Sequence, residues 1–125
     1  ETTSHVGKPI YHSDVFMYVG TEMIGICIDV INKEYKEMVL EKVSRFHDVM
    51  IINEQQILNF CGNSLEARNR QNEKFIIMST KAFSSLSPIQ IETLEKYFKK
   101  IIYSDLSSIE KYGGGSARCM LSELF

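Results

Sequence analysis

Three side chains in this 125-residue sequence sit in company that could do chemistry. Cys119 lies in "GGGSARCM" (Gly113–Met120), and His12 and Asp14 form a His-x-Asp pair in "YHSDVF". A thiolate attacks carbon when its pKa is lowered and a neighbour moves protons for it. Arg118 beside the cysteine, and backbone N–H groups bared by the glycines, would favour the thiolate and stabilise a developing anion. Histidine is the usual proton partner. In an extended strand, residues two apart point the same way, so His12 and Asp14 would face one ligand together.

Each feature also has a plainer reading. Gly113–Gly115 could be a flexible connector, Cys119 a buried small hydrophobe, and His12 and Asp14 a solvated strand end. Against the connector, the flanks "IEKY" and "RCMLSELF" read as strand-like, which puts the glycines between ordered elements. A phosphate cradle is disfavoured, because neither a helix pattern nor a Lys-Ser/Thr pair follows. His47, in "RFHDV" at a predicted helix end, reads as a partner of the helix dipole. His5 stands in an unpatterned leader.

Composition narrows the classes. Hydrophobic residues make up 44% and charged residues 24%, as in an ordinary globular domain. Fourteen basic against 16 acidic residues give a net charge of −2, with no electrostatic footprint for nucleic acid or an anionic membrane. No apolar run approaches the roughly 20 residues that cross a bilayer. Cys27, Cys61 and Cys119 are odd in number and irregular in spacing, which argues against a disulfide framework and a structural zinc site. A reducing, cytoplasmic setting is expected. No signal peptide is visible, and a start at Glu1 suggests a chain cut from something longer.

The elements that must position these residues follow from pattern. "SDVFMYVG" (Ser13–Gly20) and "MIGICIDVI" (Met23–Ile31) predict a β-hairpin, the second strand covered on both faces. Asn32 is placed to cap a helix whose Tyr35, Met38, Val39, Val43 and Phe46 would pack on the sheet. "DVMIIN" is the next strand, completing ββαβ, and "EQQILNF" one or two helical turns. "NSLEARN" and "KFIIMS" predict paired strands. Ser87, Pro88 and Gln90 predict a capped helix start, and Ile91, Leu94, Phe98 and Ile101 that helix's apolar stripe. "IIYSDL" supplies another strand, and "ARCMLSELF" (Ala117–Phe125) a terminal one. The class is α/β or α+β: two ββαβ copies, about 10–60 and 61–112, plus a strand over 117–125, with no linker dividing residues 1–125.

"GKPIYHSDVFMYVG", "FCGNSLE", "FIIMSTKAFSSLSPIQ" and "IEKYGGGSARCMLSELF", in this order, resemble the guanidino-group-modifying (pentein) superfamily from Gly7 to Phe125. The likeness is to the arginine deiminase-related branch, often labelled amidinotransferase, which includes citrulline hydrolases. It implies a five-bladed propeller of ββαβ modules around a central active-site channel. This chain would supply about two C-terminal modules, and the N-terminal ones would be absent. The resemblance makes Cys119 the nucleophile and His12 the general acid/base. Asp14 would grip guanidinium nitrogens, with Gly114, Gly115 and Arg118 in the wall around the substrate. Asn63 matches a recurrent family asparagine, expected to serve channel geometry.

No metal or organic cofactor is implied, and the partner is a small guanidino or ureido compound, arginine- or citrulline-like. Amidino transfer to an amine would use the same Cys/His pair. A non-catalytic binding fragment is the reading from a different class. With modules missing, self-association or pairing with an N-terminal half would follow, and the piece alone would be inactive.

Overall fold

The computed structural model describes residues 7 and 9–122. Two ββαβ units follow one another. In the first, β1 (Met17–Val19) and β2 (Met23–Ile26) form the expected hairpin, with Val19 opposite Ile24. α1 (Lys33–Ser44) crosses over and β3 (Asp48–Ile51) returns parallel to β2. β2 is buried at all four positions, as its unbroken apolar run requires. Ile24 and Ile26 face Val39 and Val43 of α1, while Met23 joins the main core on the other side.

α2 (Glu54–Leu58) links the units, capped by Asn53 with Gln56 reaching back. In the second unit β4 (Leu65–Arg68) and β5 (Lys74–Ser79) are antiparallel. Two helices, α3 (Thr80–Ser85) and α4 (Pro88–Tyr97), precede β6 (Lys100–Ser104), which lies parallel to β5. Strand orders are β1-β2-β3 and β4-β5-β6. The start of α4 matches expectation: Ser87 accepts from the Gln90 N–H, Gln90 reaches back, and Pro88 fills the first turn.

One core serves both units: Met23, Met50 and Ile52 pack with Ile76, Met78, Leu94 and Phe98. Polar latches close the seam. The Gln56 amide donates to Gln90 Oε1 at 2.6 Å, and Gln90 donates to the Ile51 carbonyl at 2.9 Å. Thr21 donates through its backbone N–H and its hydroxyl to Glu66.

Several expectations need correction. Residues 117–120 are helical: α5 (Ser107–Gly113) and α6 (Ala117–Met120) flank the glycines, so "IEKY" and "ARCM" are not strands. Residues 121–122 continue without strand structure, and 123–125 lie outside the described residues. On α1 only Val39 and Val43 join the core; Tyr35 and Met38 are exposed, and Phe46 lies past the helix with 80% of its surface free. The α4 stripe also ends early, because Phe98 caps the helix and Ile101 belongs to β6. α3 has no counterpart among the elements expected from sequence; Ser79 starts it by accepting from the Ala82 N–H.

Candidate functional site

The site forms where two tight turns meet. After His12, in extended conformation, Ser13–Val15 makes one turn of 3-10 helix, in which the Val15 N–H donates to the His12 carbonyl. Cys61–Asn63 makes another, entered through Phe60 in the left-handed region at φ 66°. The turns touch backbone to backbone at Gly62. A Cβ there would stand 2.3 Å from the Val15 carbonyl oxygen, so only glycine admits this approach. The contact brings Asn63 against Asp14, whose backbone carbonyl and Oδ2 each accept from Asn63 Nδ2 at 3.2 Å.

Asn63 also holds the far end of the chain. Its Oδ1 accepts from the backbone N–H of Ser116 at 3.0 Å and of Cys119 at 3.3 Å. These are the cap and third residues of α6, whose own cap side chain makes no such bond. A side chain from the Cys61–Asn63 turn thus acts as the acceptor at the start of α6, and this is why "ARCM" winds up where its composition suggested a strand. The asparagine expected to serve geometry is the hub of the site. Its other atom, Nδ2, donates to Cys119 Sγ at 3.2 Å. The Cys119 thiol in turn lies 3.5 Å from Asp14 Oδ2.

Cys119 is exposed, not buried as the plainer reading allowed. It opens into a cavity of about 490 Å³ whose wall includes His12, Asp14, Asn63 and Gly113–Gly115. His12 and Cys119, near opposite ends of the chain, therefore line one cavity. His12 and Asp14 share it through the 3-10 turn; the alternation of an extended strand, expected from sequence, is not the cause. Gly114, at φ +70°, caps α5 in the left-handed region. Gly115 underlies Cys119, and a Cβ on it would be 2.9 Å from Cys119 Cβ and Sγ. The glycine run is thus a wall between two helices.

Arg118 is not gathered with the thiol. It lines a larger neighbouring cavity, about 1190 Å³, which shares His12 and Asp14 but not Cys119 or Asn63. The other histidines are elsewhere: His47 follows α1 by three residues, and His5 lies outside the described residues. Among the described residues no cluster of His, Cys, Asp or Glu could hold a metal ion, and no helix is long and apolar enough to cross a membrane.

Burial separates the other two thiols from this one. It pushes Cys61 up to about 11, with Ser85 opposing slightly, and raises Cys27 as well.

The family model for N,N dimethylarginine dimethylhydrolase, eukaryotic, matches residues 1–125, and the chain belongs to that family. No curated protein matches. A solved structure of ArgZ, an arginine dihydrolase from the ornithine–ammonia cycle in cyanobacteria, superposes with a TM-score of 0.67 at 20% sequence identity. The match covers 88% of this chain and 15% of the ArgZ chain, so this chain spans a small part of that relative's length. The resemblance to guanidino-modifying pentein enzymes, and the mixed α/β fold it implied, are borne out.

Proposed function

We propose that Cys119, His12 and Asp14 form the working end of a hydrolase that cleaves a C–N bond in the guanidino group of arginine or an N-methylated arginine. The observation that carries this reading is the exposed Cys119 thiol, 3.5 Å from the Asp14 carboxylate, in a cavity that His12 also lines.

Asp14 pairs with the guanidinium N–H groups, which neutralises the substrate's charge and fixes its plane beside the sulfur. A cation held there also favours the thiolate, which Asn63 Nδ2 already solvates. The thiolate attacks the central carbon; a C–S bond forms and the C=N electron pair moves onto nitrogen. As this tetrahedral adduct collapses, the C–N bond breaks and His12 gives its proton to the departing amine. The neutral imidazole then takes a proton from water, whose oxygen adds to the same carbon. Rupture of the C–S bond releases a ureido product and restores the thiolate. The hydroxyl proton of this second adduct leaves with the released amine as its ammonium ion, the imidazole has regained the proton it gave, and the cycle consumes only substrate and water.

The test is a product assay on the full-length protein with arginine and with N,N-dimethylarginine, following citrulline together with ammonia or dimethylamine. Cys119→Ser should lower turnover by roughly 1000-fold or more while the fold persists. Retention of more than a few per cent would remove Cys119 from the role of nucleophile.

A further inference from the structure

Beneath the glycine wall lies a carboxylate that the proposed chemistry does not use. Glu110, on α5, is buried, and among the described residues it has no ion-pair partner. A carboxylate is costly to bury, and a hydrophobe of similar size would pack there more cheaply. Its Oε1 accepts a hydrogen bond of 2.7 Å from Ser116 Oγ, and Ser116 is fully buried. The backbone N–H of that serine donates to Asn63 Oδ1, and Asn63 Nδ2 donates to Cys119 Sγ.

We infer that Glu110 is a positioning residue that sets the reactivity of Cys119 through Ser116 and Asn63. The order of bonds gives the reason. Gly113–Gly115 supply no side chains, so the segment between α5 and α6 needs an anchor at each end. Asn63 holds the α6 end from outside. Ser116, gripped by Glu110 from within, fixes which way its own N–H points. Without that grip the Ser116 N–H swings, Asn63 Oδ1 loses one of its two donors, and the amide no longer presents Nδ2 squarely to the sulfur. The role needs an acceptor at the Glu110 position, not a charge.

This inference rests on the reading of Cys119 as nucleophile only for its consequence in turnover, so it is tested without substrate. The rate of Cys119 alkylation by iodoacetamide at fixed pH is followed by peptide mass spectrometry on the native protein, with a thermal melt for each variant. Glu110→Ala and Ser116→Ala should each slow alkylation by roughly tenfold, and the double variant should be no slower than either alone. Glu110→Gln, which keeps the acceptor, should react within about twofold of the parent.

Alkylation at the parent rate or faster in a folded alanine variant would overturn the inference. So would a glutamine variant as slow as Glu110→Ala, since charge would then be the agent. Should both alanine variants unfold, the glutamine rate still decides. If Cys119→Ser retained turnover, the proposed function would fall while the alkylation series would still report on the brace.

Discussion

Cys61 and Cys119 are both thiols with polar neighbours, yet their surroundings make them opposites. Cys61 is buried, its Sγ donating to the Ala82 carbonyl at 3.4 Å and lying 3.1 Å from Ser85 Oγ. It behaves as a small hydrophobe that completes the core beside Ala82. Cys119 is exposed, its sulfur accepting from Asn63 and facing the Asp14 carboxylate across an open cavity. The difference teaches that a thiol is made useful by access and by donors aimed at it. Residue type and a glycine-rich neighbourhood are not enough: Cys61 also adjoins a glycine, in "FCGN".

The sharpest way to break this contrast is to alkylate the native protein at pH 8. With Cys61 pushed up to about 11, only about one molecule in a thousand carries that thiolate. Cys119 should therefore be labelled at least about 100-fold faster than Cys61, and faster than the buried Cys27, and all three should react alike in denaturant. Similar native rates for Cys61 and Cys119 would erase the distinction.

What could be read from sequence divides along the same line, between local and distant causes. The start of α4 was legible because Ser87, Pro88 and Gln90 settle it within four residues. The hairpins were legible because alternation and turn residues are local. From sequence, the "IEKY" of α5 reads as strand-like, with its β-formers Ile109 and Tyr112. Yet local signals existed: Asp105 Oδ1 accepts from the Ser107 N–H at the start, and Gly114 ends the helix at positive φ. α6 was not legible at all, because its acceptor, Asn63, arrives from the other end of the second unit. The exposed face of α1 failed for a related reason, since spacing marks an apolar stripe without saying what covers it. Within the site, the motifs named Cys119, His12 and Asp14. Glu110 and Ser116 were missed because a charged residue before a glycine run reads as solvated until burial is known.

The second test sharpens the contrast from the buried side, through stability. Cys61 is raised from an ordinary 9.0 to about 11, chiefly by desolvation, so the fold favours its neutral form. Below pH 9 both folded and unfolded chains keep the proton, and the stabilisation is complete. As pH climbs from 9 through 11 the unfolded chain ionises first, and that stabilisation is lost. Two pKa units correspond to about 3 kcal/mol. Urea unfolding of the parent and of Cys61→Ala, measured from pH 8 to 11, should show the parent losing about 2–3 kcal/mol more across this window. Parallel losses would mean that the core does not hold the thiol neutral.

The smallest effect separates space from strain in the glycine wall. Gly115 has no positive φ, so an alanine there is disfavoured only by its Cβ, which meets Cys119 Cβ and Sγ at 2.9 Å. Cys119 is fastened through its N–H to Asn63, so the strain must be relieved by turning the thiol or lifting the loop. Gly115→Ala should cost about 1 kcal/mol in stability. It should slow Cys119 alkylation by roughly fivefold while leaving the Cys61 rate unchanged. Gly114→Ala provides the converse, since that position has open space but lies at φ +70°. Its cost, about 1 kcal/mol, is backbone strain alone, and the Cys119 rate should hold within about twofold. Equal slowing by both substitutions would mean that the wall acts through its general rigidity, and the contact beneath the sulfur would lose its special standing.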